Sequence, residues 1–177
     1  MNFKITKSDI VFRGKVFDLQ VDEIEYESGN KGIRETALHH GGAVIVAVTP
    51  ENKIVLVTQF RYPFKQTLIE LPAGKLFEDE DPAHCAVREL EEETGYRTGK
   101  LEKLGAIATT PGFCTEVLHI YLATDLTAGD HNREEGEYGM EMHEYTLEEI
   151  EKLIREQKIY DAKTLSGILY YKLKLVQ

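Results

Sequence analysis

The stretch GKLFEDEDPAHCAVRELEEETGY, residues 74–96, is crowded with carboxylates. Asp81 followed by Pro82 reads as an N-cap and first-turn pair, and Gly95 as a terminator, so a helix is expected over about 82–94. At about 100° per residue, Ala83, Ala86, Val87 and Leu90 share one flank that can dock on a sheet, while Glu89, Glu92 and Glu93 share another. Spacings of three and four residues bring those glutamates within roughly 5 to 6 Å of one another, where like charges oppose the helix. A divalent cation, which accepts oxygen ligands, removes the conflict. Arg88, one step round the helix, is placed to pair with a neighbouring carboxylate and hold the cluster. A solvated acidic face is the competing reading, and it suffices for Glu78, Asp79 and Glu91. For Glu89, Glu92 and Glu93, periodicity alone leaves the two readings evenly matched, although a helix built for solubility would interleave lysines.

Outward from this helix the chain alternates strand and turn signals. Residues up to about 37 carry apolar residues at Val16, Leu19, Val21, Ile24 and Tyr26 before a Ser-Gly-Asn turn, which suggests a small antiparallel β unit. The β-branched runs at 43–48 and 54–60 read as a buried hairpin. Further strands are expected on either side of the break at Pro111 and Gly112, and a polar loop over 127–139. Thr146 opens a helix with apolar Leu147, Ile150, Leu153 and Ile154, and a last helix is expected over about 161–174.

At 177 residues and 42% hydrophobic content the chain should be globular, with a sizeable core. No apolar run approaches the roughly 18 to 20 residues needed to span a bilayer, and the N-terminus lacks the apolar segment of a secretory signal. A cytoplasmic location is therefore expected. With 21 Lys+Arg against 31 Asp+Glu, the formal charge of -10 disfavours nucleic acid and anionic membranes as partners. An anionic substrate would need something to invert the local field, which again points to a metal ion. Cys85 and Cys114 are too few for a disulfide framework or a zinc site and read as packing residues. The six histidines show no ligand-like spacing.

The spacing Gly74, five residues, Glu80, seven residues, then Arg88-Glu89-Leu90-Glu91-Glu92-Glu93-Thr94-Gly95-Tyr96 resembles the Nudix box, Gly-x5-Glu-x7-Arg-Glu-U-x-Glu-Glu-x-Gly-U, with U a bulky aliphatic residue. All seven fixed positions are met, and Tyr96 at the last U is the one departure. Arg34-Glu35, Gly41-Gly42-Ala43-Val44, Gln59-Phe60-Arg61-Tyr62 and Glu70-Leu71-Pro72-Ala73-Gly74 are similar to the ADP-ribose pyrophosphatase branch. So is Pro111, sixteen residues after Gly95 and followed by Glu116.

The resemblance implies an α/β/α sandwich with a mixed sheet (39–177) plus an N-terminal antiparallel β unit (1–38) that dimerises the chain. It implies Mg²⁺ or Mn²⁺ held by Glu89, Glu92, Glu93 and the Ala73 carbonyl, with Glu80 as an outer or further ligand and Arg88 orienting the carboxylates. Arg61 would contact the diphosphate, Phe17, Arg34 and Glu35 the nucleoside, and Glu116 the terminal ribose. A surface arginine and a turn-capping glutamate are the plainer readings of Arg61 and Glu116. In the loop, Glu137, with Glu134 and Glu135 close behind, would position or deprotonate the attacking water, unless the loop is merely acidic. The implied activity is hydrolysis of ADP-ribose to AMP and ribose 5-phosphate. Hydrolysis of another nucleoside diphosphate sugar such as GDP-mannose is the alternative, and a non-catalytic nucleotide sensor the alternative of another class.

Overall fold

The helix marked out by its caps forms as α1 (Pro82–Thr94), in a computed structural model that describes residues 2–129 and 139–176. Asp81 Oδ1 accepts from the amides of Ala83 (2.8 Å) and His84 (3.3 Å). Gly95 adopts a left-handed φ of 76° and returns its N–H to Glu91 O, a turn that a side chain would strain. The docked flank is shifted by one position from the expected one. Cys85, Ala86 and Leu90 are fully buried, whereas Val87 is 39% exposed.

Residues 1–41 and 108–117 make one compact unit, and residues 42–107 and 118–177 the other. In the first, β1 (Phe3–Arg13), β2 (Asp18–Tyr26) and β3 (Lys31–Leu38) form an antiparallel sheet in that order. The segment after Ala108 belongs here because Ala37 donates to Phe113 O (2.7 Å) and accepts from Thr115 N (3.0 Å). That pairing spans too much sequence to show in local pattern.

The second unit contains β4 (Gly42–Ala47), β5 (Ile54–Arg61), β6 (Gln66–Glu70), β7 (Ala73–Lys75), α1, β8 (Tyr96–Ala108), β9 (Val117–Ala128), β10 (Glu141–Tyr145), α2 (Leu147–Arg155) and α3 (Ala162–Leu175). Its sheets run β7-β4-β9-β8, with β4 and β9 parallel, and β10-β5-β6. The expected hairpin of β4 and β5 does not form; only an isolated bridge, Val48 to Ile54, joins them. β4 is buried along its whole length and β5 over its first half. Each therefore takes an interior place between two other strands, where both faces are covered.

Alternate residues of β4 feed two cores. Val44 and Val46 pack with Leu56, Ile120, Ile150 and Ile168, on the side of α2 and α3. Ala43, Ile45 and Ala47 pack with Cys85, Ala86 and Leu90 of α1. The unit is thus a mixed sheet layered between helices. Thr146 starts α2 with a capping box closed by Glu149, and Asp161 caps α3. Among the described residues no helix is long and apolar enough to cross a membrane.

Candidate active site

β7 runs antiparallel to β4, pairing Ala73 with Val44 and Gly74 with Ala43. Docking of α1 over these strands carries its acidic edge onto the β7 backbone. Ala73 N donates to Glu93 Oε2 (3.1 Å). A Cβ on Gly74 would overlap the Glu89 carboxylate outright, so the motif glycine is a space requirement of that carboxylate. Glu89 and Glu93 are 7% and 2% exposed, unlike a solvated face. Gly74→Ala is expected to displace the Glu89 carboxylate, the movable end of its side chain, read as lost turnover with a smaller change in melting temperature. An unchanged melting temperature and rate would show that Glu89 does not need this approach.

Arg88 organises the edge. Its Nε and Nη2 meet Glu80 Oε1 and Oε2, each at 3.0 Å, while Nη1 donates to Glu89 Oε1 (2.7 Å) and Glu92 Oε2 (3.0 Å). Nη2 also reaches Lys75 O (3.2 Å), and the guanidinium lies 4.5 Å from the Phe77 ring centroid. The hydrogen bonds to Glu80 contribute most to holding Arg88 above its ordinary pKa, and the same bonds hold Glu80 below the usual carboxylate range. Burial pushes the neighbouring Cys85 thiol up to about 12, so it stays a packed thiol.

One guanidinium against Glu80, Glu89, Glu92 and Glu93 leaves an excess of negative charge. Together with the Ala73 carbonyl, these hard oxygen donors suit a divalent cation. Glu89 and Glu92 are turned onto Arg88, and among the described residues no three acidic, histidine or cysteine side chains converge as a ligand group.

Arg61, the expected diphosphate contact, is gripped by Glu70 through Nε to Oε1 (2.8 Å) and Nη2 to Oε2 (2.5 Å). The hydrogen bond to Glu70 is the main reason its pKa is raised, and the charge of Glu93 also acts on it. Glu70, Lys163 and Asp161 were not among the residues expected at the site. The available signal was Lys163 itself, an ammonium in the first turn of α3, where the helix dipole disfavours positive charge unless acidic partners compensate.

In the first unit, Phe17, Arg34, Glu35 and Glu116 line one pocket of about 770 Å³, together with His39 and Phe113, which sequence reading missed. Glu116 Oε2 accepts from Thr109 Oγ1 (2.7 Å), and its Oε1 lies 3.5 Å from His39 Nδ1. Gly41 N donates to that same Nδ1 (2.9 Å), so His39 is held there as an acceptor. Arg34 donates to its own Ile33 carbonyl (2.8 Å) and faces the Tyr26 ring. Glu134, Glu135 and Glu137 lie outside the described residues.

Residues 38–165 match the NUDIX domain family. The chain belongs to that family. This NUDIX protein is 44% identical over 173 residues to the ADP-ribose pyrophosphatase of Bacillus subtilis (strain 168), covering 97% of this chain and 93% of the relative. With the same coverage it is 42% identical to the methanol dehydrogenase activator of Bacillus methanolicus. A solved structure described as an ADP compounds hydrolase superposes with a TM-score of 0.85 over 99% of this chain and 95% of that one. At 17% identity this is a likeness of fold. Tyr96, the departure from the NUDIX box, keeps its ring beside the α1 core and donates its hydroxyl to Glu144 Oε1 (2.7 Å). That bond is the main reason its pKa is raised to about 12. An aliphatic residue would pack there without the bond.

Proposed function

We propose that this NUDIX hydrolase cleaves the diphosphate of ADP-ribose to give AMP and ribose 5-phosphate. The observation that carries the chemistry is the pair of buried carboxylates, Glu89 and Glu93, drawn onto the β7 backbone beside Ala73. The substrate assignment follows the Bacillus subtilis relative. In the reaction, water oxygen bonds to one phosphorus, the P–O bond to the bridging oxygen breaks, and that oxygen leaves with the other phosphate.

Glu89, Glu92, Glu93 and the Ala73 carbonyl would hold Mg²⁺ or Mn²⁺, with Glu80 as an outer or further ligand. When bound, such an ion neutralises the diphosphate, polarises its P–O bonds and activates water. Arg88 orients the carboxylates, and Arg61 offers a planar fork to phosphate oxygens. Phe17, Arg34 and Glu35 receive the nucleoside, and Glu116 the terminal ribose. Glu137, or its neighbours Glu134 and Glu135, takes the proton of the attacking water.

The N-terminal unit exposes Phe3, Ile5, Val11, Phe12 and Ile33, and this supports a homodimer built through it. Sedimentation at micromolar concentration should give a dimer; a monomer would reject that assembly.

Incubation with Mg²⁺ and a panel of ADP-ribose, GDP-mannose, UDP-glucose, NADH and dGTP, with products identified, tests the substrate. ADP-ribose should be turned over best, to AMP and ribose 5-phosphate. Equal or faster turnover of GDP-mannose would reject the substrate while keeping the chemistry, and tight binding without turnover would make the protein a sensor.

A further inference from the structure

Arg61 and Glu70 end the two strands of one hairpin, yet they are not opposite each other. The register pairs Arg61 with Gln66 and Glu70 with Val57. Val57 and Arg61 share a face of β5, roughly 13 Å apart at strand rise, so the arginine must turn back along the hairpin to reach Glu70. It does so with two parallel bonds, at 2.8 and 2.5 Å, to a carboxylate that is 2% exposed.

A second cation meets the same carboxylate. Lys163 Nζ donates to Glu70 Oε2 and, at 3.0 Å, to Asp161 Oδ2. Asp161 is itself held by the amide (3.0 Å) and hydroxyl (2.6 Å) of Thr164, whose Oγ1 accepts from Leu71 N (2.8 Å). Leu71, the residue after Glu70, is thus bolted to α3, and Ala73, two residues beyond Leu71, is bonded to Glu93. Among the described residues Arg61 Nη1 donates no hydrogen bond, and the guanidinium feels the charge of Glu93.

We infer that Glu70 is a positioning residue, which fixes the Arg61 fork so that Nη1 is presented to the substrate diphosphate, while Lys163, bonded to the same carboxylate, holds Glu70 in place when the anion competes for Arg61. This rests on Arg61 being the diphosphate contact. An unclamped arginine would lose its rotamer freedom only when substrate binds, raising KM; clamped by a buried carboxylate, it has lost that freedom on folding.

The test combines a double-mutant cycle with the Arg61 Nε–H signal in a proton–nitrogen correlation spectrum. Wild type, Glu70→Gln, Arg61→Ala and the double variant are assayed on the best substrate of the panel. Glu70→Gln should lower kcat/KM about tenfold, mainly through KM, a loss of one charge-assisted contact. It should have no further effect in the Arg61→Ala background, and the protected Nε–H signal should disappear. Glu70→Asp, which keeps the charge for Lys163 but withdraws it from Arg61, should act in the same direction and serves if the glutamine variant does not fold. An equal loss in both backgrounds, or a protected Nε–H signal surviving in Glu70→Gln, overturns the inference. Wild-type kcat/KM in Arg61→Ala would remove the arginine's role and the inference with it. A best substrate other than ADP-ribose rejects the substrate assignment and leaves this test standing.

Discussion

Glu93→Gln is expected to lower turnover of ADP-ribose on the order of a thousandfold, about 4 kcal/mol of transition-state stabilisation, with the melting temperature close to wild type. Glutamine preserves the volume of a side chain that is 2% exposed, and its amide oxygen can still accept the Ala73 N–H bond made by Oε2 at 3.1 Å. The negative charge is what disappears. If Glu93 only tied α1 to β7, this change would cost little, because a neutral acceptor serves that purpose. If it holds a divalent ion on a developing anionic centre, the ion is bound more weakly and is less well placed. Steady-state rates over a Mg²⁺ titration, beside a thermal melt, separate the two. Wild-type rates at saturating Mg²⁺ would exclude Glu93 as a ligand.

Arg88→Met should have the larger effect on the fold. Methionine keeps an apolar stem near Phe77 but leaves Glu80, Glu89 and Glu92 without the cation that bonds all three. Removing the shared cation from a partly buried ionic network costs about 2 kcal/mol, which in a chain of this size lowers the melting temperature by about 4–8 °C. If Mg²⁺ binds the native cluster as proposed, it should recover more of this loss in the variant than it adds to wild type, since it would substitute for the missing charge.

The acid limb is informative as well. Glu80 is lowered in the folded protein, chiefly by its hydrogen bonds to Arg88. The stability it contributes is therefore present above the unfolded carboxylate pKa and lost as pH falls through the lower folded value. In Arg88→Met that part of the acid destabilisation should shrink. A variant with the wild-type melting temperature at neutral pH, unresponsive to Mg²⁺, would mean that the four-way arrangement around Arg88 does not stabilise the native state.

What the sequence determined by itself was local. The α1 boundaries followed from Asp81, Pro82 and Gly95 because caps act within one turn. The shared edge of Glu89, Glu92 and Glu93 followed from helical period alone. The helix start at Thr146 was legible for the same reason, and the structure closes it as a capping box.

Tertiary structure decided whatever joins distant segments. β4 and β5 separated into different sheets because β4, buried along its whole length, and β5, buried over its first half, each take two other strands as neighbours. Cys85 rather than Val87 faces the core because the docking angle of α1 is set by β4 and β7, not by its own pattern. Gly74 is needed because a carboxylate fifteen residues later presses on its backbone. Lys163 and Glu70 meet across 93 residues of chain. Contacts of that span leave no period in a sequence, since the pairing energy depends on burial that exists only once the sheet and α3 have assembled.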